Sequence, residues 1–548
     1  MGGVSSVSDF PAPVTKDLGG NRLTLSLDGS LFVSYAYDDA SRLSTITRGS
    51  SNFGFGYDNA NRRTSMTYPN GITTNYSYDT LNRLTRLKAD LGATAVTDFQ
   101  YVYDNAGNRT RKQQLDYTED YSYDPLYRLT GVERSAGLTG IWHYGYDPVG
   151  NRTTAQTNES VLTSVFNEKN QLTSSSGGGT LKVRGTLNEP GTAKVNGSPA
   201  RMLAGNVFEA TIQATTGTNT FAVEATDVSG NVTTKNYQVN VSATGATYTY
   251  DPNGNLTQKV EGADTWTYEW TAENQLKRVL KNSVEQARFA YDPLGRRVEK
   301  VAGGVTTTFT HDVEAIIREQ STTGTTLKYI HSPELDEPLA AEDGGASLSY
   351  YYGDALGSVG KTTSAAGAVT SSLTYNAFGL VEQGTPGRYS FTGREWEAES
   401  QLYYYRARYY DPKIGRFISE DPIGLQGGDV NFYSYVRNNP TNFTDPSGLQ
   451  AAPGQIYVPG EGWKTVPPTP PPPEAFWQYM SVPAAIITGF AGPPAATACA
   501  KRVGCGAKLA ADVALCHYVF KDPKSLGACI FAAQSNYRMC VLGVPWPI

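Results

Sequence analysis

The sequence Asp-Pro-x-Gly-Leu occurs twice, at 421–425 and 445–449, so Asp421 and Asp445 lie 24 residues apart. Proline fixes φ and disfavours helix at the residue before it, so each carboxylate sits on a rigid bend. If the chain folds back, the two carboxyls can meet. Close carboxylates do not both ionise readily: one pKa rises and the other falls. One can then activate water as a general base while the other donates a proton. An arginine nearby would hold one carboxylate anionic or orient a carbonyl. The same residues also make two plain turns, and spacing alone favours that reading.

The elements that must position these residues repeat along the chain. An aromatic followed by Asp recurs at Tyr37-Asp38, Tyr57-Asp58, Tyr78-Asp79, Tyr103-Asp104, Tyr123-Asp124 and Tyr146-Asp147. The series continues through Phe166-Asn167, Tyr250-Asp251, Trp270-Thr271 and Tyr291-Asp292, and fades at His311-Asp312. The steps are 20, 21, 25, 20, 23, 20, 84, 20, 21 and 20 residues. Each unit predicts a strand, a turn opened by Asp, and a second strand. Asp can bond its own backbone two residues on, and Gly107, Gly150, Gly254 and Gly295 permit positive φ. Alternation such as Tyr76-Ser77-Tyr78 puts both tyrosines on one face. One hairpin cannot bury that face alone, so the units must stack into a long sheet with the tyrosines inward.

Composition supports a mainly β body. There are 36 Tyr, 19 Phe, 7 Trp and 56 Gly, with only 18% charged residues. The formal net charge of −6 and the absence of a basic patch argue against nucleic-acid binding by the body. No signal peptide is visible. The apolar stretch 482–500 is broken by Gly489, Gly492, Pro493 and Pro494, so no transmembrane segment is expected.

The YxYDxxNRL units resemble the YD/RHS repeats of bacterial RHS proteins, Tc-toxin C subunits and teneurins, over residues 30–177 and 244–449. The resemblance implies a β-hairpin spiral forming a hollow shell. Family shells contain more repeats, and this chain starts mid-pattern, so a partial shell is expected. Tyr351-Tyr352-Gly353-Asp354-Ala355-Leu356-Gly357-Ser358 resembles the family's YYHxDxLGS stretch, with Gly353 where His is usual. Tyr375-Asn376-Ala377-Phe378-Gly379 resembles its YDxFG step, with Asn376 for Asp. From Arg406 through Asn438-Asn439-Pro440 to Leu449 the chain resembles the RHS-repeat-associated core, which ends in PxxxxDPxGL. Relatives cut themselves after that Leu with an Asp pair and an Arg. By motif, the resemblance implies Asp421, Asp445 and Arg408 as catalytic residues and Leu449–Gln450 as the scissile bond.

The expected organisation is a leader (1–29), repeats (30–177), an inserted Ig-like or fibronectin-like module (178–243), further repeats (244–340) and the core (341–449). A Pro-rich linker (450–475) and a variable segment (476–548) follow. Inside the insert, alternating segments at 181–186, 193–196, 207–213, 220–225 and 237–241 are spaced by turns, as in a sandwich. A spacer projecting from the shell suits it better than a sugar-binding module, because no aromatic platform is present.

All five cysteines lie in the final segment. Cys505 to Cys516 and Cys529 to Cys540 are both 11-residue steps, about three helical turns, around a helix-start signal at Asp522-Pro523. That predicts a helical hairpin with disulfides Cys505–Cys540 and Cys516–Cys529, leaving Cys499 over. Bridges would imply an oxidising compartment. His517, with Lys508, Asp512, Tyr518 and Tyr537, could form a nuclease-like site, but a lone histidine in an Ala-rich helix pair reads more simply as structure. No metal site or cofactor is expected.

These observations predict a secreted or surface-delivered shell protein of the polymorphic-toxin type. Its C-terminal segment would be cargo, with a secretion machine and an immunity protein as partners. The sole enzymatic activity would be intramolecular aspartyl proteolysis. A structural or adhesive surface protein without catalysis is the alternative, and an inactive fragment is a third.

Overall fold

In the computed structural model, each Tyr-Asp unit closes a hairpin by local bonding. Asp79 Oδ1 accepts the backbone N–H groups of Leu81 and Arg83 at 2.9 Å each, and Oδ2 accepts Arg83 Nε at 2.6 Å. Asn82 takes the left-handed conformation that the turn requires, with φ 63°. Asp38, Asp58, Asp124 and Asp292 bond an arginine four residues on in the same way. At Asp104, Asp147 and Asp251 an asparagine replaces the arginine. The degenerate units keep the turn with weaker acceptors: Asn167 bonds Gln171, and the Thr271 hydroxyl accepts the Gln275 N–H.

Register shifts fall immediately before Tyr37, Tyr57, Tyr78, Tyr146, Tyr250 and Tyr291. Such bulges re-aim a side chain. Here the ring tilts so that its hydroxyl donates to a carbonyl of the preceding unit. Tyr57 reaches Leu43 at 2.9 Å, Tyr78 reaches Arg63 at 2.9 Å, Tyr103 reaches Leu84 at 2.6 Å and Tyr291 reaches Leu276 at 2.7 Å. Trp270 makes the same bond through Nε1, at 2.8 Å to Leu256. The ring also lies under the previous unit's arginine, as with Arg62 over Tyr78 and Arg83 over Tyr103, both 4.7 Å to the centroid. Consecutive units are therefore stitched by the residues that define the motif. The repeat tyrosines pack on the core side of the sheet.

The structure describes residues 14–242, 245–334 and 336–449, and the backbone of two short strands, Gln455–Val458 and Gly462–Thr465. The chain divides into units Met1–Thr469 and Pro470–Ile548, and every described residue belongs to the first. The architecture is mainly β, as expected: one antiparallel sheet of 31 strands runs from Val14–Lys16 to Val369–Ser372 without closing into a barrel. Helix among the described residues is limited to four short 3-10 turns. None is long and apolar enough to cross a membrane. Early hairpins meet later ones across the core: Phe53 lies 5.9 Å from Tyr350, Tyr68 lies 4.7 Å from Tyr352, and Arg48 pairs with Glu342 at 2.7 Å.

The insert grows out of the sheet without a linker. Strand Leu172–Thr186 pairs with Ser160–Phe166 in its first half and with Val207–Thr215 in its second. The expected boundary at 178 thus falls inside one strand. Glycine is required at the changeover: a Cβ on Gly177 would collide with the Ser242 carbonyl, and Gly178 and Gly179 have φ of 101° and 125°. Beyond it, an arm of the large sheet and a separate four-stranded sheet share one core containing Leu181, Val195, Phe208, Ile212 and Val223.

After Ser372 the chain leaves the large sheet. Four short strands, Glu395–Glu397, Leu402–Tyr405, Arg408–Asp411 and Arg416–Phe417, form their own sheet. Buried polar contacts fix this region against the repeats. Arg297 reaches Glu395 at 2.5 Å and Glu397 at 2.7 Å, Arg109 reaches the Thr441 carbonyl at 2.6 Å, and Tyr433 reaches the Gly254 carbonyl at 2.8 Å.

One expectation is corrected. Among the described residues no cysteine pair stands at disulfide distance, so the bridges Cys505–Cys540 and Cys516–Cys529 are not retained. A bridge needs Cα atoms about 4.4–6.8 Å apart. Equal spacing along a chain selects faces and says nothing about approach. All five cysteines, Cys499 included, and the expected helical hairpin lie outside the described residues.

The hairpin wiring predicts that Asp79→Ala, which removes three accepted bonds, lowers stability by about 1–2 kcal/mol, as for loss of a capping side chain. Tyr78→Phe should cost about 1 kcal/mol. Urea unfolding of both variants checks this. The Arg83 bonds and N–H groups, acting against burial, hold Asp79 below its ordinary value of 3.8. Its contribution is therefore complete above about pH 4 and is lost as pH falls through the depressed value.

Candidate functional site

Arg408 opens a strand whose four residues are all buried, and its own side chain is 1% exposed. The next strand supports it: the guanidinium lies 3.7 Å from the centroid of the Phe417 ring, a cation–π contact. Nη2 faces two carboxylates, Asp421 Oδ2 at 3.2 Å and Asp445 Oδ2 at 3.3 Å. Nη1 donates to the Phe432 carbonyl at 2.8 Å, and Nε donates to the Gly448 carbonyl. The two Asp-Pro-x-Gly-Leu segments are thus turns, and they also meet. They meet through Arg408, which bridges them.

Backbone bonds hold each carboxylate. The Asp421 N–H donates to the Phe432 carbonyl at 3.0 Å, and Asp421 Oδ1 accepts the Ile423 N–H at 3.0 Å. Asp445 Oδ1 accepts the Leu449 N–H at 3.1 Å, and the Ser447 hydroxyl accepts the same N–H at 3.2 Å. The carboxylate side chains are 3% and 0% exposed. Burial raises Asp421 above its ordinary value, against the pull of Arg408 and the Ile423 N–H. Burial also lowers Arg408, against the pull of Asp445 and Asp421.

The Leu449 carbonyl and the Asp421 carboxylate flank one bare backbone position. A Cβ on Gly427 would lie 2.6 Å from Asp421 Oδ2 and 3.3 Å from the Leu449 carbonyl oxygen. Asp421, Pro422, Ser447 and Leu449 also line a cavity of about 680 Å³, with Glu420, His311 and Arg296 on other walls. Water can therefore reach the end of the described chain.

Arg408, Asp421, Asp445 and Leu449 come together. Gln450, the partner in the expected scissile bond, lies outside the described residues, as do His517, Lys508, Asp512, Tyr518 and Tyr537. Sequence reasoning missed Phe417, Ser447, Gly427 and the Phe432 carbonyl. Phe417 and Ser447 sit inside recognised motifs and could have been flagged. The Phe432 carbonyl leaves no trace in side-chain identity. Of the two departures from the family pattern, Asn376 still accepts the Phe378 and Leu380 N–H groups at 2.9 and 3.0 Å, the wiring that Asp provides elsewhere. Among the described residues no group of acidic, His or Cys side chains is arranged to hold a metal ion.

The family model described as RHS Repeat matches residues 37–73 and 57–94. The chain carries RHS repeats. It is 27% identical over 212 residues to the tRNA3(Ser)-specific nuclease WapA of Bacillus spizizenii, covering 36% of this chain and 9% of that protein. It is 31% identical over 173 residues to double-stranded DNA deaminase toxin A of Burkholderia cenocepacia, covering 26% and 12%. The RHS chain described here thus spans about a tenth of the length of these relatives. A crystal structure of TcdB2-TccC3 without its hypervariable C-terminal region aligns with a TM-score of 0.39 and 20% identity, covering 80% of this chain and 24% of that one.

Two substitutions test the electrostatics of this RHS site. Arg408→Ala leaves two buried carboxylates without their cation and should cost about 3–5 kcal/mol. Asp421→Asn should not destabilise the fold at pH 7. A raised carboxylate stabilises the fold only while protonated, and that contribution is lost as pH rises through the raised value; burial disfavours the charge, so a neutral amide of the same shape removes nothing the fold needs. Thermal denaturation at pH 7 distinguishes the two outcomes.

Proposed function

We propose that this chain is the carrier portion of an RHS-type toxin, which encloses or holds its C-terminal segment as cargo and cuts itself after Leu449. The observation that carries the reading is Arg408, whose one side chain touches Asp421, Asp445 and the carbonyl one residue before Leu449. A turn needs no buried cation shared between two carboxylates. In an aspartyl hydrolytic site such a cation can hold one carboxylate ionised and fix the peptide beside it.

In this mechanism the ionised carboxylate takes a proton from water, and the water oxygen adds to the Leu449 carbonyl carbon. The protonated carboxylate then gives its proton to the Gln450 nitrogen as the C–N bond breaks. Burial suits Asp421 to the protonated role. Asp445, bonded to Arg408 and to the Leu449 N–H, suits the ionised role. Arg408 fixes the preceding peptide throughout. Similarity to polymorphic-toxin relatives supports the carrier role and secretion or surface exposure; a delivery machine and an immunity protein for the cargo belong to the proposal alone. No nucleic acid is proposed as a partner of the repeats, and the cargo's own activity is left open.

Intact-mass analysis of purified wild type, Asp421→Asn and Asp445→Asn chains tests the reading. The wild type should yield a fragment ending at Leu449, while both variants stay whole with folded spectra. The rate should fall as pH rises through the raised value of Asp421. Two variants that still cut at the wild-type rate would exclude the dyad.

A further inference from the structure

Arg406 occupies a position that glycine or asparagine normally fills. It is the first residue of the tight turn between strands Leu402–Tyr405 and Arg408–Asp411, and its φ is 57°. A bulky residue in the left-handed region costs conformational energy and persists where surrounding contacts demand it. Those contacts are specific. Arg406 Nη2 reaches Asp336 Oδ1 at 2.7 Å, and Nη1 reaches Asp336 Oδ2 at 3.3 Å and donates to the Pro446 carbonyl. The next residue, Ala407, donates its N–H to the Ser447 carbonyl at 3.2 Å. The residue after that, Arg408, holds the Gly448 carbonyl. Three consecutive residues thus hold three consecutive carbonyls that lead up to Leu449. A Cβ on Gly448 would collide with the Tyr405 carbonyl, so the held segment fits only as glycine at that point.

The far end of this clamp is anchored in the repeat sheet. Asp336 lies in the loop between strands Thr326–His331 and Pro338–Glu342, its side chain is 8% exposed, and it is shared with Arg394 at 2.6 Å. Arg394 in turn donates to the Tyr404 carbonyl at 2.9 Å, beside the clamp turn. Arg406 thus ties the Pro446 carbonyl to Asp336, between two strands of the repeat sheet.

We infer that Arg406, held by Asp336, is a positioning residue that presents the 446–449 segment for cleavage and makes cutting wait until the core has docked on the repeat sheet. This rests on the proposed self-cleavage, and its test separates the two. Arg406→Ala should slow release of the Leu449 fragment by roughly 10–100-fold, as for a misplacement of about 1 Å, with the pH profile unmoved. Asp336→Asn should do the same without touching the turn, and Arg406→Lys should restore part of the rate. A second measurement needs no cutting. In the Asp421→Asn background, adding Arg406→Ala or Asp336→Asn should speed hydrogen exchange in the peptide containing Gly448 and Leu449, with repeats 37–94 unchanged. Unaltered exchange in both double variants overturns the inference whether or not the wild type cuts. If the wild type cuts and both Arg406→Ala and Asp336→Asn cut at its rate, the inference fails while the self-cleavage reading stands.

Discussion

The structure depends on one local clasp: an aspartate that closes its own turn, an arginine that it holds, and the next unit's tyrosine beneath that arginine. Any hairpin leaves polar backbone groups at its turn and an apolar face that it cannot bury alone. The aspartate satisfies the turn internally. The tyrosine then bonds a carbonyl of the preceding unit, so each hairpin is completed only by its successor. Each bond is modest, about 1 kcal/mol, but the same geometry recurs along the sheet. Substitutions that keep a donor are accommodated, as at Trp270. Phe166 keeps only the ring.

Self-stitching units say nothing about where a sheet ends or what fills its inner side. That task falls to residues after Ser372, whose buried tyrosines and charges face the repeats. The contacts are ionic as well as apolar. Glu397 is fully buried among Arg297, Lys300 and Arg388, and the arginines, with Lys300, hold it down at about 2 against the effect of burial. Buried ion pairs gain little net stability over well-packed apolar residues, yet breaking one is costly. Such pairs discriminate strongly between the docked register and its neighbours.

The Arg408 site follows the same economy with a different sign. Asp421 is held where its charge is unfavourable, beside a cation that is itself disfavoured by burial. A purely structural turn would have no need of either. Shifted groups occur in structural ion clusters such as that of Glu397 as well as at sites that move protons; what sets this one apart is the adjoining cavity, lined by Asp421 and Leu449.

The sequence by itself determined the repeat, because Asp turns and alternating strands are local. Spacing of Tyr-Asp pairs located the hairpins, and the 84-residue step located the insert. It also named the residues of the candidate site, but only through motif resemblance, since two carboxylates 24 residues apart are as easily separate turns. The tertiary structure decided how they meet. Arg408 stands between Asp421 and Asp445, on Phe417 and under backbone carbonyls that side-chain identity cannot reveal. It decided that the insert shares a strand with the main sheet, where Ser/Gly composition had read as a boundary. The disulfide pairing, which rested on symmetry of spacing alone, is not retained and lies outside the described residues. The physical reason is common to the meeting at Arg408 and the shared strand. Turn chemistry and strand periodicity are short-range and written in adjacent residues, whereas approach between distant segments is fixed by packing and by buried charge.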